Sequence, residues 1–110
     1  MKLDFNTMEE KHLEHFNGGD GTFHAYMYVD ENNKILSGRL EPGSTIGYHQ
    51  HVNTSEIIFI EKGVGTVVYE DTTETILPGQ CHYCPEGKSH SLQNRAEETL
   101  LFKAVVPVHK

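Results

Sequence analysis

No apolar stretch among the 110 residues approaches the roughly 20 that cross a bilayer. The opening MKLDFNTMEE also lacks the apolar core of a signal peptide. Neither a membrane span nor a secretory leader is expected, and the chain is read as cytoplasmic. Basic residues are scarce: Lys and Arg number 9 against 16 Asp and Glu, for a formal net charge of −7. That balance argues against nucleic acid, because duplex affinity comes largely from cations that neutralise phosphates; acidity of this kind serves solubility. There is no tandem repeat, linker or low-complexity tract to mark a second domain. At 36% apolar residues with ten glycines, the composition is sparse for a globular chain yet well short of a disordered one.

Only two cysteines occur, Cys81 and Cys84, and they form a C-x-x-C. A thioredoxin-like site needs a helix that starts at the motif, and Pro85-Glu86-Gly87 stops one. In an extended stretch, three steps of about 3.3 Å hold the Cα atoms about 10 Å apart, beyond the reach of a disulfide. Two reduced, buried thiols are expected.

Helical periodicity is also missing from Phe23 onward. Short β-rich runs take its place: FHAYMYV, KILSGRL, TIGYHQH, EIIFIE, GTVVYE, ETIL, QCHYC, SHSLQN and TLLFKAVV. Turn clusters such as Pro42-Gly43, Lys62-Gly63, Pro78-Gly79 and Pro85-Glu86-Gly87 separate them. The fold class is all-β, an antiparallel sandwich or barrel. Residues 1–22 read differently: Thr7-x-x-Glu10 suits a capping box before Met8, Leu13 and Phe16, ended by Gly18-Gly19. An N-terminal segment with a short helix over 1–22, followed by a barrel domain over 23–110, is the expected organisation.

The chemistry gathers in YHQHVNTSEIIFIEKG, residues 48–63. Side chains alternate faces along a strand, so His49 and His51 point the same way, as a chelating pair does. Glu56 shares a face with Ile58 and Ile60, and a buried carboxylate is costly unless paired or bound to a metal. Taken alone, these three residues leave a metal site and an exposed histidine loop equally open. His90 changes that balance, since it starts a run in which His90, Leu92 and Asn94 share a face just after a Pro85-x-Gly87 turn.

The full spacing reads Gly43-x5-His49-x-His51-x4-Glu56-x6-Gly63, then Gly79-x5-Pro85-x-Gly87-x2-His90-x3-Asn94. Both stretches match the two motifs of the cupin superfamily, and the chain resembles a small single-domain cupin. It departs from the pattern at Gln80, a position usually acidic, and at Tyr48, often proline. The resemblance implies a double-stranded β-helix, the cupin-like jelly-roll barrel, with His49, His51, Glu56 and His90 around one divalent transition metal ion. Three imidazoles and one carboxylate suit zinc, iron, nickel, manganese or copper, and affinity alone does not choose among them. It further implies an enzyme that acts on a small polar molecule, the ion serving as Lewis acid or oxygen-activating centre in dioxygenase or isomerase and lyase chemistry. The alternative is a non-catalytic module that binds or senses a small ligand through the metal.

His82, on the run leading into the second motif, is the remaining candidate catalytic residue, either through a hydrogen bond behind the ligands or as an acid or base. Its competing reading is a satisfied or exposed histidine. His12, His15, His24 and His109 have no spacing that favours a site and are placed on the surface. Tyr26, Tyr28 and Tyr48 line a pocket mouth or cover the sheet, the latter for at least two of them. Arg39 and Lys103 are anion contacts only if they turn inward, and outward positions are expected. EIIFIE is apolar on both faces, so residues 1–22 or a second subunit must cover its outer side. Since cupins of this kind are often dimers, a homodimer is expected.

Overall fold

The computed structural model describes residues 1–110. Ten strands make up the chain: β1 Lys11–Glu14, β2 Thr22–Val29, β3 Asn33–Leu40, β4 His49–Gln50, β5 Glu56–Lys62, β6 Gly65–Tyr69, β7 Thr72–Ile76, β8 Cys81–Cys84, β9 Ser89–Gln93 and β10 Leu100–Pro107. They form a six-stranded sheet, in the order β1-β2-β3-β10-β5-β8, and a four-stranded sheet, β4-β9-β6-β7. Every pairing is antiparallel. The two sheets close over one core as a jelly-roll barrel. No helix is long and apolar enough to cross a membrane.

Alternation decides which residues enter the barrel. Along β10 the inward row is Leu100, Phe102, Ala104 and Val106, and along β3 it includes Leu36 and Leu40, all buried. Each large side chain removed from water in this way contributes about 1.5–3 kcal/mol. Ile58, Ile60, Val67, Ile76 and Leu92 complete the core from β5, β6, β7 and β9.

The short helix expected in residues 1–22 does not form. Two single 3-10 turns occur instead, at Phe5–Thr7 and Phe16–Gly18, with β1 between them. Thr7 does not open a capping box; its hydroxyl donates back to the Asp4 carbonyl at 2.9 Å. The free edge of β2 offers Lys11–Glu14 backbone partners in register with Thr22–Ala25, and Leu13 and Phe16 pack against the core. Tertiary pairing outweighs a weak local helix preference here. The expected strand TIGYHQH is also cut short, to one bridge from Thr45 to Gln93 and the two residues of β4. Gly47 explains the interruption: a Cβ there would lie 1.9 Å from the Asn17 carbonyl oxygen, so only glycine lets these segments approach.

On the outer face of β5 and β8, Phe59 is 47% exposed and Tyr83 55% exposed. Of residues 1–22, Phe5 reaches this side of the barrel, its ring 5.7 Å from Lys103 Nζ. Arg39 and Lys103 face outward as expected, Arg39 pairing with Glu10 and Glu41, and Lys103 with Glu61.

The cysteines are free and lie on an extended strand, but only one is buried: Cys84 is enclosed and Cys81 is exposed. Period 2 puts the two on opposite parities of neighbouring positions, 81 with 83 outside and 82 with 84 inside. Burial, together with the negative charges of Glu56 and Glu70, raises the Cys84 thiol to about 11. A disulfide-forming thiol reagent is therefore expected to modify one cysteine in the native protein and two after unfolding; rapid native reaction of both would contradict this placement.

Candidate metal centre

His49 lies on β4, His90 on β9 and Glu56 on β5, while His51 follows β4 directly. The register joins the first two, since His49 and His90 are Cα partners. The Pro85-x-Gly87 turn delivers β9 to that position: Gly87 takes φ +86°, a region that favours glycine, and its N–H donates to the His51 carbonyl at 2.8 Å. One donor atom from each of His49, His51, Glu56 and His90 falls within 4.8 Å of all the others. The structure thus brings together all four residues expected to act as ligands.

Each imidazole is held by its Nδ1. His49 Nδ1 donates to the Gly47 carbonyl at 2.7 Å, and His51 Nδ1 lies 2.8 Å from the Thr54 hydroxyl. His90 Nδ1 lies 3.0 Å from His82 Nε2, and His82 Nδ1 lies 3.1 Å from Glu74 Oε1. The Gly47 carbonyl and the Glu74 carboxylate can only accept, which assigns the protons along both chains. His82 donates from Nδ1 to Glu74, so its Nε2 accepts from His90 Nδ1–H. His49 and His90 are left with Nε2 lone pairs, and that of His90 lies 2.9 Å from the Glu56 carboxylate.

The central distances fit a cation. His51 Nε2 is 3.0 Å from His90 Nε2 and 3.1 Å from Glu56 Oε1, and His90 Nε2 is 2.9 Å from the same oxygen. Adjacent ligands of an octahedral ion at about 2.1 Å are separated by about 3.0 Å. Lone pairs and a carboxylate converging at that spacing require a positive charge between them, either a proton on an imidazole or a metal ion. Burial alone pushes the Glu56 carboxyl up, but the imidazoles of His51 and His90 beside it outweigh burial and hold it down, to about 2. Burial also lowers the pKa of His49 from its ordinary value, which favours the neutral ligand form.

A cavity of about 450 Å³ opens against this cluster. His49, His51 and Glu56 line it, together with Phe16, Phe23, Leu36, Ile46 and Val106, and Asp30 and Lys34 sit on its wall. His90 is 1% exposed and closes the cluster from behind. His82, 3% exposed, lies behind His90 and does not line the cavity. Burial lowers its pKa from the ordinary value.

Residue spacing did not reveal Glu74, Thr54 or the Gly47 carbonyl. Glu74 reaches His82 from the other sheet, a contact no local pattern encodes. Thr54, three residues after His51, carried a local signal, since a hydroxyl at that offset can reach back to the ring. His12 and His24 were placed separately on the surface, yet they are Cα partners across β1 and β2 with Nδ1 atoms 2.7 Å apart.

A family model of the cupin domain matches residues 37–106. An oxalate-binding protein of Thermotoga maritima is 34% identical over 68 residues, which cover 62% of this chain and 56% of the relative. The matched stretch thus spans little more than half the length of that relative. Among solved structures, a Thermotoga maritima protein described as a predicted oxalate decarboxylase superposes with a TM-score of 0.91 at 24% identity, covering 98% of this chain and 99% of that one. A sugar phosphate isomerase of the cupin superfamily from Silicibacter pomeroyi gives 0.80 at 20% identity, covering 97% and 75%. At these identities the two superpositions are likenesses of fold.

Proposed function

Because the chain belongs to the cupin family, we propose that it holds one divalent transition metal ion through His49, His51, Glu56 and His90 and uses it to bind a small organic acid. The observation that carries this reading is the convergence of four donors within 4.8 Å of one another, three of them at about 3 Å spacing, on the wall of a cavity. Such an ion supplies a Lewis acid and, if it is iron or manganese, a redox centre. The protein's own groups orient it: the Gly47 carbonyl, the Thr54 hydroxyl and His82 each fix one imidazole with Nε2 inward. The oxalate-binding relative supports a carboxylate ligand.

Binding is favoured over proton-transfer chemistry by what lines the cavity. Apart from the ligands, its titratable side chains are Asp30 and Lys34. His82, the candidate acid or base, is screened from the cavity by His90, so we assign it a positioning role. Turnover at the ion, of decarboxylase or oxygenase type, is the second reading. It is favoured by a donor set of four that would not fill a six-coordinate ion, three of whose members line the cavity.

Elemental analysis of protein purified without added metal, followed by calorimetric titration with oxalate, tests both. Retained metal with oxalate binding that disappears on chelation is the expected result, and release of carbon dioxide or uptake of oxygen would select turnover. Equal oxalate affinity with and without metal would refute the proposal.

Metal loading should also stabilise the fold. At an ion concentration 1,000 times Kd the gain is about 4 kcal/mol, which raises Tm by roughly 15 °C or more for a domain of this size. Its pH dependence has a definite sign. Glu56, held at about 2, stays ionised, and the gain is lost as pH falls and protons compete with the ion for the ligand nitrogens. The lowered pKa of His49 extends the metal-competent form toward acid. Differential scanning calorimetry with and without chelator across that range is the check.

A further inference from the structure

Lys34 faces into the barrel. On β3 it lies two residues before Leu36 and shares that buried face with Leu36 and Leu40. Its Cα partners are Val29 on β2 and Val106 on β10. Val105 pairs with Ile57, and continuing that register puts Val106 opposite Glu56. One row on the interior face of the six-stranded sheet therefore runs Val29, Lys34, Val106, Glu56. Two interstrand steps set the Lys34 and Glu56 backbones about 10 Å apart.

An inward ammonium ordinarily finds a carboxylate. Lys34 has none: its Nζ lies 5.9 Å from the centre of the Phe16 ring, and the ion pairs of the chain do not include it. Asp30, also on the cavity wall, is engaged elsewhere. It accepts from the backbone N–H groups of Asn32 and Asn33, each at 2.8 Å, and from the Tyr28 hydroxyl at 3.1 Å. The cavity that Lys34 and the donor cluster share is also lined by Leu36, Ile46 and Val106, and Val106 lies between Lys34 and Glu56 in the row.

We propose that the cavity takes an organic acid with two acidic groups separated by a short apolar spacer, one group held at the ion and the other by Lys34. This rests on the metal-dependent acid binding proposed above and adds to it a second anchor and a length. A divalent ion with three neutral histidines and one glutamate keeps a net charge of about +1, and Lys34 supplies a second positive charge at the other end. Oxalate, whose carboxylates are bonded directly to each other, has no spacer to lie along an apolar wall. Its six heavy atoms also fill only a fraction of a 450 Å³ cavity. Glutarate and adipate, with three and four methylenes between their carboxylates, supply such a spacer.

Isothermal titration of metal-loaded protein with oxalate, succinate, glutarate, adipate and the one-ended control pentanoate tests the proposal. Glutarate or adipate should bind more tightly than oxalate and about tenfold more tightly than pentanoate, the worth of one partly exposed charge-assisted contact. Lys34→Met should erase the preference over pentanoate while metal content stays at the wild-type level, and Lys34→Arg should keep most of it. Equal affinity for glutarate and pentanoate, or an unchanged preference in Lys34→Met, would overturn the assignment. Oxalate binding with no gain for the spaced acids sinks this inference alone. Absence of metal-dependent binding of any acid sinks it together with the reading beneath it.

Discussion

His90→Ala strips the protein of its ion, whereas His82→Ala only weakens the hold: that is the expected result of a chelator competition titration on the two variants. His90 Nε2 lies 2.9 Å from the Glu56 oxygen at the centre of the cluster, so its loss removes a donor outright. His82 touches only the far side of the same ring, at 3.0 Å. Outer partners of this kind are worth about 10–100-fold in metal affinity, and His90→Ala should exceed that range. His82→Gln should recover part of the loss, because an amide oxygen can still accept from His90 Nδ1–H, while His82→Leu should not. Equal loss in the alanine variants, or no difference between Gln and Leu, would contradict the division of roles.

Asn94→Ala should unfold the barrel more readily than any change on its surface. Asn94 is 0% exposed. Its amide nitrogen donates to the Leu40 and Glu98 carbonyls, both at 2.8 Å, and its oxygen accepts from the Ala96 N–H at 3.0 Å. Alanine leaves these backbone groups without partners. An unmet buried group costs about 1–3 kcal/mol; the Leu40 contact is buried and the other two are partly open to water, so a total of about 3–5 kcal/mol and a fall in Tm of roughly 15 °C or more are expected. Calorimetry on metal-free protein isolates this effect from the ion, and a Tm within about 3 °C of wild type would show that the strand ends find other partners.

Both residues were legible as part of a fixed spacing, and the reason is physical. Strand parity tied Glu56 to Ile58 and Ile60, and the glycine-bearing turns announced where strands reverse. Parity says which residues share a face, but it does not say which strand lies alongside. Glu74 meets His82, and His12 meets His24, through pairings between elements that local pattern does not contain. Lys34 shows the same limit: its parity with Leu36 and Leu40 is readable, but parity does not say that Arg39 and Lys103 meet Glu10 and Glu61 outside the barrel while Lys34 meets no carboxylate. The N-terminal helix failed for a related reason, because an unpaired sheet edge is a tertiary fact that no capping pattern anticipates.

Glu56 belongs to the six-stranded sheet, and His49 and His90 to the four-stranded one. An ion bonded to all three would rivet the two layers beside the doorway through which a guest enters. Chelation would then be a mechanical event as well as a chemical one. The bolt that presents the guest's docking point would also fix the width of its entrance, coupling how firmly the protein grips its metal to how large a molecule it admits.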